Sequence, residues 1–445
     1  MDQLPVVIIG AGAAGLTAAI WAARGPKPVI LLEATGTPGQ KLLISGGGRC
    51  NVLPSRVSPA DYQTDGSPNT VKKILAAWPL GQVRKFFEDD LAVPLALEEE
   101  SGKLFPLSNR AGTVLDALLG AAQARGVTLR LQARAAGVET AGDRWLVRLE
   151  AGETLAAERV VVATGGLSVP GTGSDGAGLL MAQALGHTLI PAYPALTPLT
   201  TNKEAHKELV GVSLTARVST PHPSGKGQLS YRGGFLFTHR GYSGPAVLNI
   251  SHVAARSTFV GGPRPVISVQ WSPLDAGGWE EALQGGSGFV IAALRQQIPE
   301  RLAILLLAEL NLTGLKIGQL RREDRRRLID ALTRYTLPWS GHEGYRVAEV
   351  TGGGVPLGEV EPATLESRMA PGLHLCGEVL DAFGPIGGYN FLLIWSQSRA
   401  PSHRAQSRPC RSGRSARSRP RPQWHRASKP QLRSIPLAHA ASPQR

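Results

Sequence analysis

The sequence predicts an α/β protein in which a domain built on a parallel sheet is interrupted by a β-rich insert. The first 35 residues run as strand, helix and strand around a glycine-rich turn, which is the order of a parallel sheet with a helical crossover. After Pro191, glycine and proline become frequent and short alternating segments dominate. The glycine-rich α/β pattern returns from Tyr345 to Asn390.

The amino-terminal unit is predicted to contain a strand, a helix and a second strand. Val6–Ile9 is a short apolar run of the kind that a buried parallel strand uses. Gly10–Gly15 then opens an alanine-rich helix, which ends at Gly25 and Pro26 because proline cannot continue a helix. Val29–Leu32 is the second strand, and it ends at Glu33.

Periodicity and turn residues predict the remaining elements. In the first part of the chain we expect helices over Val71–Asp90 and Ala111–Arg125, and strands over Val127–Val138, Arg144–Leu149 and Arg159–Ala163. In the insert we expect strands over Val212–Thr220, Gly234–Thr238 and Pro265–Trp271, followed by helical sequence over 288–333.

These patterns divide the chain into four parts. The predicted parts are a first section of a nucleotide-binding domain (1–191), a β-rich and then helical insert (192–344), a closing section of the first domain (345–396) and a basic low-complexity tail (397–445).

The net charge of +14 belongs to the tail. The tail holds 12 of the 48 Lys and Arg and none of the 34 Asp and Glu, which leaves 36 basic against 34 acidic residues before it. The nearly neutral body gives no sign of nucleic-acid binding. Acids and apolar periodicity disappear together after Trp395, and we hypothesise that a shifted reading frame produced this segment. A genuine tail would instead favour an RNA-binding arm.

Cysteine usage and hydropathy indicate a soluble, cytoplasmic protein. Cys50, Cys376 and Cys410 form neither a CxxC pair nor a metal-ligand spacing, so we expect no disulfide framework and no metal site. The apolar run Val6–Ala23 is 18 residues long, but its glycines have motif spacing and no basic residue precedes it. Neither a membrane span nor a signal peptide is therefore expected.

The turn Gly10-x-Gly12-x-x-Gly15 predicts a dinucleotide site. Gly10 permits the tight turn, Gly12 lets the backbone approach a diphosphate, and Gly15 allows close packing of helix and sheet. The helix amino terminus offers free N–H groups to the phosphates. Glu33, eighteen residues after the last glycine, is placed to accept hydrogen bonds from ribose hydroxyls.

Two further glycine-rich segments have different interpretations. Gly171-x-Gly173-x-x-Gly176 has the same spacing but no acid-tipped strand behind it, so a second nucleotide site is not expected there. Lys41–Asn51 directly follows the ribose position and supplies backbone N–H groups and a cation beyond the diphosphate. A row of backbone N–H groups with one cation suits the isoalloxazine ring and ribityl chain of a flavin better than a nicotinamide.

Four motifs in order carry a resemblance to a known family. Lys41–Asn51 (K-x-x-x-S-G-x-G-R-C-N) and Phe237–Pro245 (F-T-H-x-G-x-S-G-P) resemble motifs of the BaiN/YhiN-like NAD(P)/FAD-dependent oxidoreductases. Val350–Val355 and the segment from Gly377 to Asn390 resemble the closing segment of that family. The resemblance runs from about Leu4 to Trp395.

This resemblance implies a Rossmann-like FAD-binding domain of the glutathione-reductase type, interrupted by a β-rich insert that covers the flavin. It also implies which residues hold FAD. The set comprises the diphosphate turn with its helix start (Gly10, Gly12, Ala14, Gly15), the ribose carboxylate Glu33, the second loop (Lys41, Ser45, Gly46, Arg49, Cys50, Asn51), the adenine contact Ala135, the turn Thr164 and Gly165, the ribityl contacts Gly377 and Glu378, and a helix start at the flavin pyrimidine (Gly388, Tyr389, Asn390).

His239, Cys50 and the run Arg321–Arg327 each have a functional and a structural interpretation. The resemblance implies that the loop of His239 borders the substrate side of the flavin, where a histidine could deliver a proton; a structural histidine is about equally expected. Cys50 lacks a partner and a base, so a packed residue is favoured over a nucleophile. The run Arg321–Arg327 contains acids and indicates a solvated helix face.

The resemblance implies a reaction in which reduced flavin passes a hydride to an electron-poor C=C or related acceptor. NAD(P)H would reduce the flavin beforehand and bind transiently, since no second nucleotide fold is visible. The acceptor is a small molecule or a base in ribosomal RNA. The sequence indicates no membrane association, and no stable protein partner can be inferred from it. Two alternatives stay open: dihydrouridine formation in ribosomal RNA, and a flavin-binding protein with impaired or no catalysis.

Overall fold

The computed structural model describes residues 3–202, 206–223, 225 and 227–399. Within this part the strands are β1 (Val6–Ile9), β2 (Val29–Leu32), β3 (Leu53–Pro54), β4 (Leu95–Glu98), β5 (Lys103–Pro106), β6 (Thr128–Arg130), β7 (Ala135–Ala141), β8 (Arg144–Leu149), β9 (Thr154–Ala157), β10 (Arg159–Val162), β11 (Ile190–Ala195), β12 (Leu199–Thr200), β13 (Ser213–Pro221), β14 (Gln228–Thr238), β15 (Gly241–Ser243), β16 (Ser268–Gln270), β17 (Tyr335–Thr336), β18 (Gly341–His342), β19 (Val350–Gly354) and β20 (Leu373–Leu375). The α-helices are α1 (Ala13–Ala22), α2 (Gln40–Ile44), α3 (Pro68–Ala77), α4 (Leu80–Lys85), α5 (Ala111–Ala124), α6 (Ala177–Ala184), α7 (Pro245–Phe259), α8 (Ala276–Ala282), α9 (Val290–Arg295), α10 (Glu300–Glu309), α11 (Arg322–Thr333) and α12 (Tyr389–Arg399).

A five-stranded parallel sheet in the order β20-β10-β1-β2-β6 forms the first layer. Val6 lies in register with Val29 on one side and with Arg159 on the other. Strands β1, β2, β10 and β20 are mostly apolar and buried because helices cover them, with α1 packed against α5 and α12. The edge strand β6 is partly exposed. The predicted α/β fold with a parallel sheet is therefore confirmed.

A second sheet has seven strands in the order β17-β16-β13-β14-β15-β12-β18 and is antiparallel. Its inner face packs with α7 to α11 into a hydrophobic core of its own, centred on Phe235, Phe237, Trp271 and Trp279. Strand β11 precedes this sheet in the chain and β19 follows it, and these two strands pair with each other in antiparallel orientation. The predicted domain limits at residues 191 and 344 fall beside this pair and stay a prediction.

The sequence predicted to be helical over Val71–Asp90 is helical but divided. Helices α3 and α4 are separated at Trp78 and Pro79, because proline has no N–H for a helical hydrogen bond, and a π-helical stretch at Phe86–Asp90 follows α4. The strand predicted over Val127–Val138 also divides. β6 joins the parallel sheet, β7 joins a small sheet with β8 and β9, and Gln132 between them has a φ of +54°.

No helix in the part of the chain that the structure describes is both long enough and apolar enough to span a membrane. The hypothesis of a shifted reading frame concerns sequence after Trp395. Apart from the end of α12, that segment lies outside the described residues.

Candidate functional site

A cavity of about 510 Å³ lies at the carboxyl ends of the central strands. Its wall includes Ile9 and Gly10 after β1, Glu33 after β2, and Thr164 after β10. Ligands of open parallel sheets bind at this edge, where neighbouring strands end and the loops diverge. The parallel sheet therefore places the predicted site residues around one opening.

The three glycines of the first turn meet different constraints. Gly10 has a φ of +101°, which disfavours a side chain. A Cβ at Gly15 would lie 1.7 Å from the Gly10 carbonyl oxygen, so the backbones of helix and turn touch there. A Cβ at Gly12 would meet no protein atom within 4 Å, although Gly12 lines the cavity and immediately precedes α1. The space above Gly12 is thus open to a ligand at the helix amino terminus.

The Glu33 carboxylate is buried and held in place by three donors. Oε2 accepts from the Ala11 N–H at 3.0 Å, while Oε1 accepts from the N–H and hydroxyl of Thr35 at 2.9 and 2.8 Å. A carboxylate has about four lone-pair positions, and Glu33 also lines the cavity. Its remaining capacity fits ribose hydroxyls.

The segment Gly171–Gly176 belongs to this same cavity. Gly173, Ser174 and Asp175 line the wall, and a Cβ at Gly173 would lie 4.0 Å from Glu33 Oε1. Ala135 lines the wall as well. The second segment with this glycine spacing thus forms part of the wall around Glu33, in the same cavity as the first glycine turn.

The second glycine loop contributes backbone to the cavity. Gly46 and Gly47 line it with φ values of +56° and +67°, beside Ser45 and Asn51. Arg49 and Cys50, in the same loop, do not line the cavity. The Arg49 guanidinium pairs with Glu98 at 3.0 Å and lies over the Phe105 ring.

Cys50 is fully buried outside the cavity lining. Desolvation raises the pKa of its thiol to about 12, against a smaller opposing hydrogen bond with Ser45. A thiol with such a pKa is a poor nucleophile at neutral pH. Cys50 is a packed residue, and the structure brings neither it nor Arg49 to the cavity surface.

A charged network joins the second loop to the closing segment. The Lys41 ammonium pairs with Glu378 and donates to the Ser168 hydroxyl at 2.5 Å. Ser168 in turn donates to Glu378 at 2.9 Å, and the N–H of Thr351 donates to the same carboxylate at 3.3 Å. Lys41 and Glu378 line the cavity, where they present a fixed ion pair to a polar ligand such as a ribityl chain.

Helix α12 begins at the cavity, where Gly388 and Asn390 form part of the wall. The Asn390 side chain bonds the Gly384 N–H at 2.8 Å and the Gly384 carbonyl at 3.0 Å, so it fixes the loop before the helix. Tyr389 lies outside the lining, and its carbonyl accepts from the Tyr62 hydroxyl at 2.9 Å. The positive end of the helix dipole is therefore directed at the cavity.

Two buried contacts hold this helix in place. Trp395 donates from Nε1 to the Val52 carbonyl at 3.2 Å, and Gln397 accepts from the Gly377 N–H at 2.8 Å. A helix of 11 residues needs such tertiary support to persist.

His239 does not reach the cavity. It is exposed in the turn between β14 and β15, next to Arg240, which pairs with Glu343. Phe237 and Tyr242, which lie near His239 in the chain, are instead part of the hydrophobic core of the insert. A proton donor must reach the reacting atom, and the catalytic role of His239 stays a prediction.

The structure brings most of the predicted set to one wall. The predicted residues that line the cavity are Gly10, Gly12, Ala14, Glu33, Lys41, Ser45, Gly46, Asn51, Ala135, Thr164, Gly165, Gly377, Glu378, Gly388 and Asn390. Those outside the lining are Gly15, Arg49, Cys50, Tyr389 and His239. The sequence did not predict Ser168 or Glu349 as site residues. Glu349 directly precedes the motif at Val350–Val355, and this motif was the signal that could have identified it.

The residues present fit FAD. The space above Gly12 suits a diphosphate, Glu33 suits a ribose, and the second glycine loop extends the wall toward α12. This arrangement defines a dinucleotide-binding oxidoreductase of the Rossmann type.

Comparison with known proteins gives the family. The family model described as HI0933-like protein Rossmann domain matches residues 4–403. The chain belongs to this family and is an FAD-dependent oxidoreductase, which confirms the resemblance seen in the sequence.

Two curated relatives match over nearly their whole length. The "Ribosomal RNA dihydrouridine synthase" of Escherichia coli (strain K12) is 34% identical over 90% of this chain and 97% of its own. The "3-dehydro-bile acid delta(4,6)-reductase" of Clostridium scindens is 31% identical over 90% of this chain and 99% of its own. Among solved structures, a 3-ketosteroid-delta4-(5alpha)-dehydrogenase from Rhodococcus jostii RHA1 aligns with a TM-score of 0.44 and 16% identity, over 90% of this chain and 97% of that chain.

Proposed function

We propose that this protein reduces a C=C bond conjugated to a carbonyl group, with NAD(P)H as the transient source of electrons. The names of the two relatives carry the proposal. Dihydrouridine is uridine with its C5=C6 bond saturated, and a delta(4,6)-reductase of a 3-dehydro substrate saturates C=C bonds in conjugation with a ketone. Both acceptors are α,β-unsaturated carbonyl compounds, although their sizes differ greatly.

Bound FAD, once reduced, supplies the hydride for such a reaction. The chain's own residues hold and shape the site. Gly12 leaves room for the diphosphate, and the Lys41–Glu378 pair fixes the middle of the wall. The amino terminus of α12 favours negative charge, such as a reduced flavin carries.

One observation on the described residues supports the transient binding of NAD(P)H. Gly171–Gly176, the one other segment with the glycine spacing, contributes to the wall around Glu33. A nicotinamide cofactor therefore has no separate dinucleotide turn within the described residues, and we propose that it binds only during reduction.

We expect purified protein to be yellow and to lose its flavin absorbance when NADH or NADPH is added without oxygen. Addition of an acceptor should restore the colour, and absorbance spectra recorded in an anaerobic cuvette measure both steps. Yellow protein that neither nucleotide bleaches would contradict the proposal and would favour a flavin-binding protein without catalysis.

One observation favours uridine in ribosomal RNA as the acceptor. Arg217 of β13 and Arg232 of β14 lie directly opposite each other in register, and both are exposed. Neither forms an ion pair with any residue that the structure describes. Like charges in directly opposite positions destabilise a sheet.

The neighbours of this pair are uncharged. Thr215 faces Gly234 across the same two strands, and Gln270 of β16 lies beside Arg217. A polar sheet face with two unneutralised guanidinium groups complements a phosphate backbone. This second candidate function applies the same chemistry to a base in RNA.

We expect the double substitution Arg217→Gln/Arg232→Gln to weaken binding of ribosomal RNA and to lower the slope of log affinity against log salt by about 1 to 2. Reduction by NAD(P)H should not change. Fluorescence anisotropy with labelled ribosomal RNA fragments over a salt series measures the effect in the full chain.

The matched control is Arg321→Gln/Arg326→Gln, which removes the same charge from the exposed surface at α11. Equal losses in both double variants would show a nonspecific charge effect and count against RNA binding at β13 and β14. Without RNA, removal of the opposed pair should raise the unfolding free energy by a few tenths of a kcal/mol.

A further inference from the structure

The reduction of a C=C bond needs a proton as well as a hydride, and carboxyl groups in the cavity can give one. Four carboxyl groups line it: Glu33, Asp175, Glu349 and Glu378. No histidine, cysteine or tyrosine among the described residues lines it. Arginine does not release its proton in proteins.

Three of these carboxyl groups have donors that hold them. Glu33 is held by Ala11 and Thr35, and Glu378 by the Lys41 network. Asp175 pairs with Arg134 and accepts from the Ala177 N–H at 3.0 Å. Hydrogen bonds and ion pairs within the protein thus already engage these three carboxyl groups.

Glu349 differs from the other three. Its side chain has no hydrogen bond or ion pair with any described residue, although its backbone N–H donates to the Leu196 carbonyl at 3.2 Å. The Glu349 carbonyl oxygen lies 3.5 Å from the Ser168 hydroxyl, which donates its hydrogen to Glu378 at 2.9 Å. The backbone is thus anchored beside the Lys41 network while the carboxyl group is free within the cavity.

Glu349 is exposed at the surface of the cavity, yet the surrounding protein atoms desolvate its carboxyl group. This desolvation raises the pKa of the group, and the charges of Lys103 on β5 and Lys41 on α2 lower it by less. Lys103 also packs over Gly387, where an added Cβ would lie 3.0 Å from its side chain. The positive charges that act on Glu349 thus come from the Lys41 network and from Lys103, which packs beside the loop that leads into α12.

We propose that Glu349 is the catalytic acid that protonates the acceptor. This proposal rests on the proposed function. The acceptor receives a hydride from the reduced cofactor at the carbon β to its carbonyl, and it receives the Glu349 proton at the α carbon. The C=C bond becomes a single bond, the cofactor is left oxidised, and the Glu349 carboxylate regains its proton from solvent.

We expect Glu349→Gln to bind FAD and to be bleached by NAD(P)H like the unchanged protein. Its reoxidation by 2-cyclohexen-1-one or by a ribosomal RNA transcript should be at least ~100-fold slower, the usual lower bound for loss of a general acid. Reoxidation by ferricyanide, which takes electrons without a proton, should not change. Glu361→Gln, which alters a surface carboxyl group paired with Arg368, is the matched control.

The pH dependence gives a second test. Because the folded pKa of Glu349 is raised, its acid form persists above the usual range of glutamate and is lost as pH rises through that pKa. The reoxidation rate with 2-cyclohexen-1-one should therefore fall toward high pH in the unchanged protein. The Glu349→Gln variant should show no such fall.

A third measurement needs no cofactor. In protein stripped of FAD, carbon-13 NMR of labelled glutamate carboxyl groups should show one resonance that titrates above the usual range and is missing in Glu349→Gln. A Glu349 resonance that titrates at the ordinary value would overturn the proposal. Equal reoxidation of Glu349→Gln and the unchanged protein would overturn it too, while leaving the proposed function intact.

A different result identifies failure of the proposed function itself. If NAD(P)H bleaches the unchanged protein but neither the enone nor the RNA transcript restores its colour, C=C reduction is wrong. The role of Glu349 then falls with it.

Discussion

Gly12→Val should give folded, colourless protein. The backbone at Gly12 has a φ of −79°, which any residue adopts, and no protein atom lies within 4 Å of the added Cβ. The fold therefore tolerates valine. The side chain instead fills the cavity at the amino terminus of α1, where the diphosphate needs close approach of the backbone.

The loss of FAD affinity should be at least 100-fold, which corresponds to about 2.7 kcal/mol. Flavin content per protein after gel filtration and thermal unfolding together measure the effect. Gly120→Val is the matched control, because Gly120 is an exposed position of α5 with the same free space around it. Retention of a full flavin complement by Gly12→Val would overturn the assignment of the diphosphate site.

Gly15→Ala should fail in a different way, by preventing the fold. The added Cβ would lie 1.7 Å from the Gly10 carbonyl oxygen and 2.9 Å from its carbon, and both atoms belong to the backbone. No rotamer change relieves such a clash, so α1 would have to move off the sheet. We expect a loss of more than ~4 kcal/mol in unfolding free energy, or insoluble protein.

Thermal or urea unfolding measures this loss, with added FAD to show that the cofactor does not restore stability. Gly112→Ala, at the start of α5 where no atom lies within 4 Å, should instead be neutral or stabilise by up to ~1 kcal/mol. A Gly15→Ala protein as stable as the unchanged one would show that helix and turn are not in contact. Two glycines three residues apart thus separate cofactor binding from folding.

The parts of the fold that were predicted correctly have local causes. The strands at Val6–Ile9 and Val29–Leu32 agree with prediction to the residue, because a strand buried on both faces is a continuous apolar run. The roles expected of Gly10 and Gly15 also follow from local geometry. The structure differs from the prediction where one residue overrides a pattern, as Pro79 does by separating α3 from α4 within the predicted helical region.

The parts of the site that were missed depend on long-range contacts. Lys41 and Ser168 are 127 residues apart, and Ser168 and Glu378 are 210 apart. No local pattern marks Ser168 as a partner, since only folding brings the three segments together. Glu349 likewise acquires significance because the other carboxyl groups of the cavity have donors.

His239 shows the opposite limit. Its motif forms a tight hairpin in which Gly241 and Tyr242 are buried. Alternation along a strand does not reveal which way a turn faces. The structure puts the His239 turn on the surface, and the catalytic role of His239 stays a prediction.

The central claim is that FAD occupies this cavity with its diphosphate at the turn from Gly10 to Gly15. The most direct test is a crystal structure of the yellow protein as purified. We predict electron density for FAD with the diphosphate above Gly12, the ribose on Glu33 and the flavin ring near the start of α12. A flavin nucleotide bound elsewhere, or yellow crystals in which this cavity contains no nucleotide, would contradict the account.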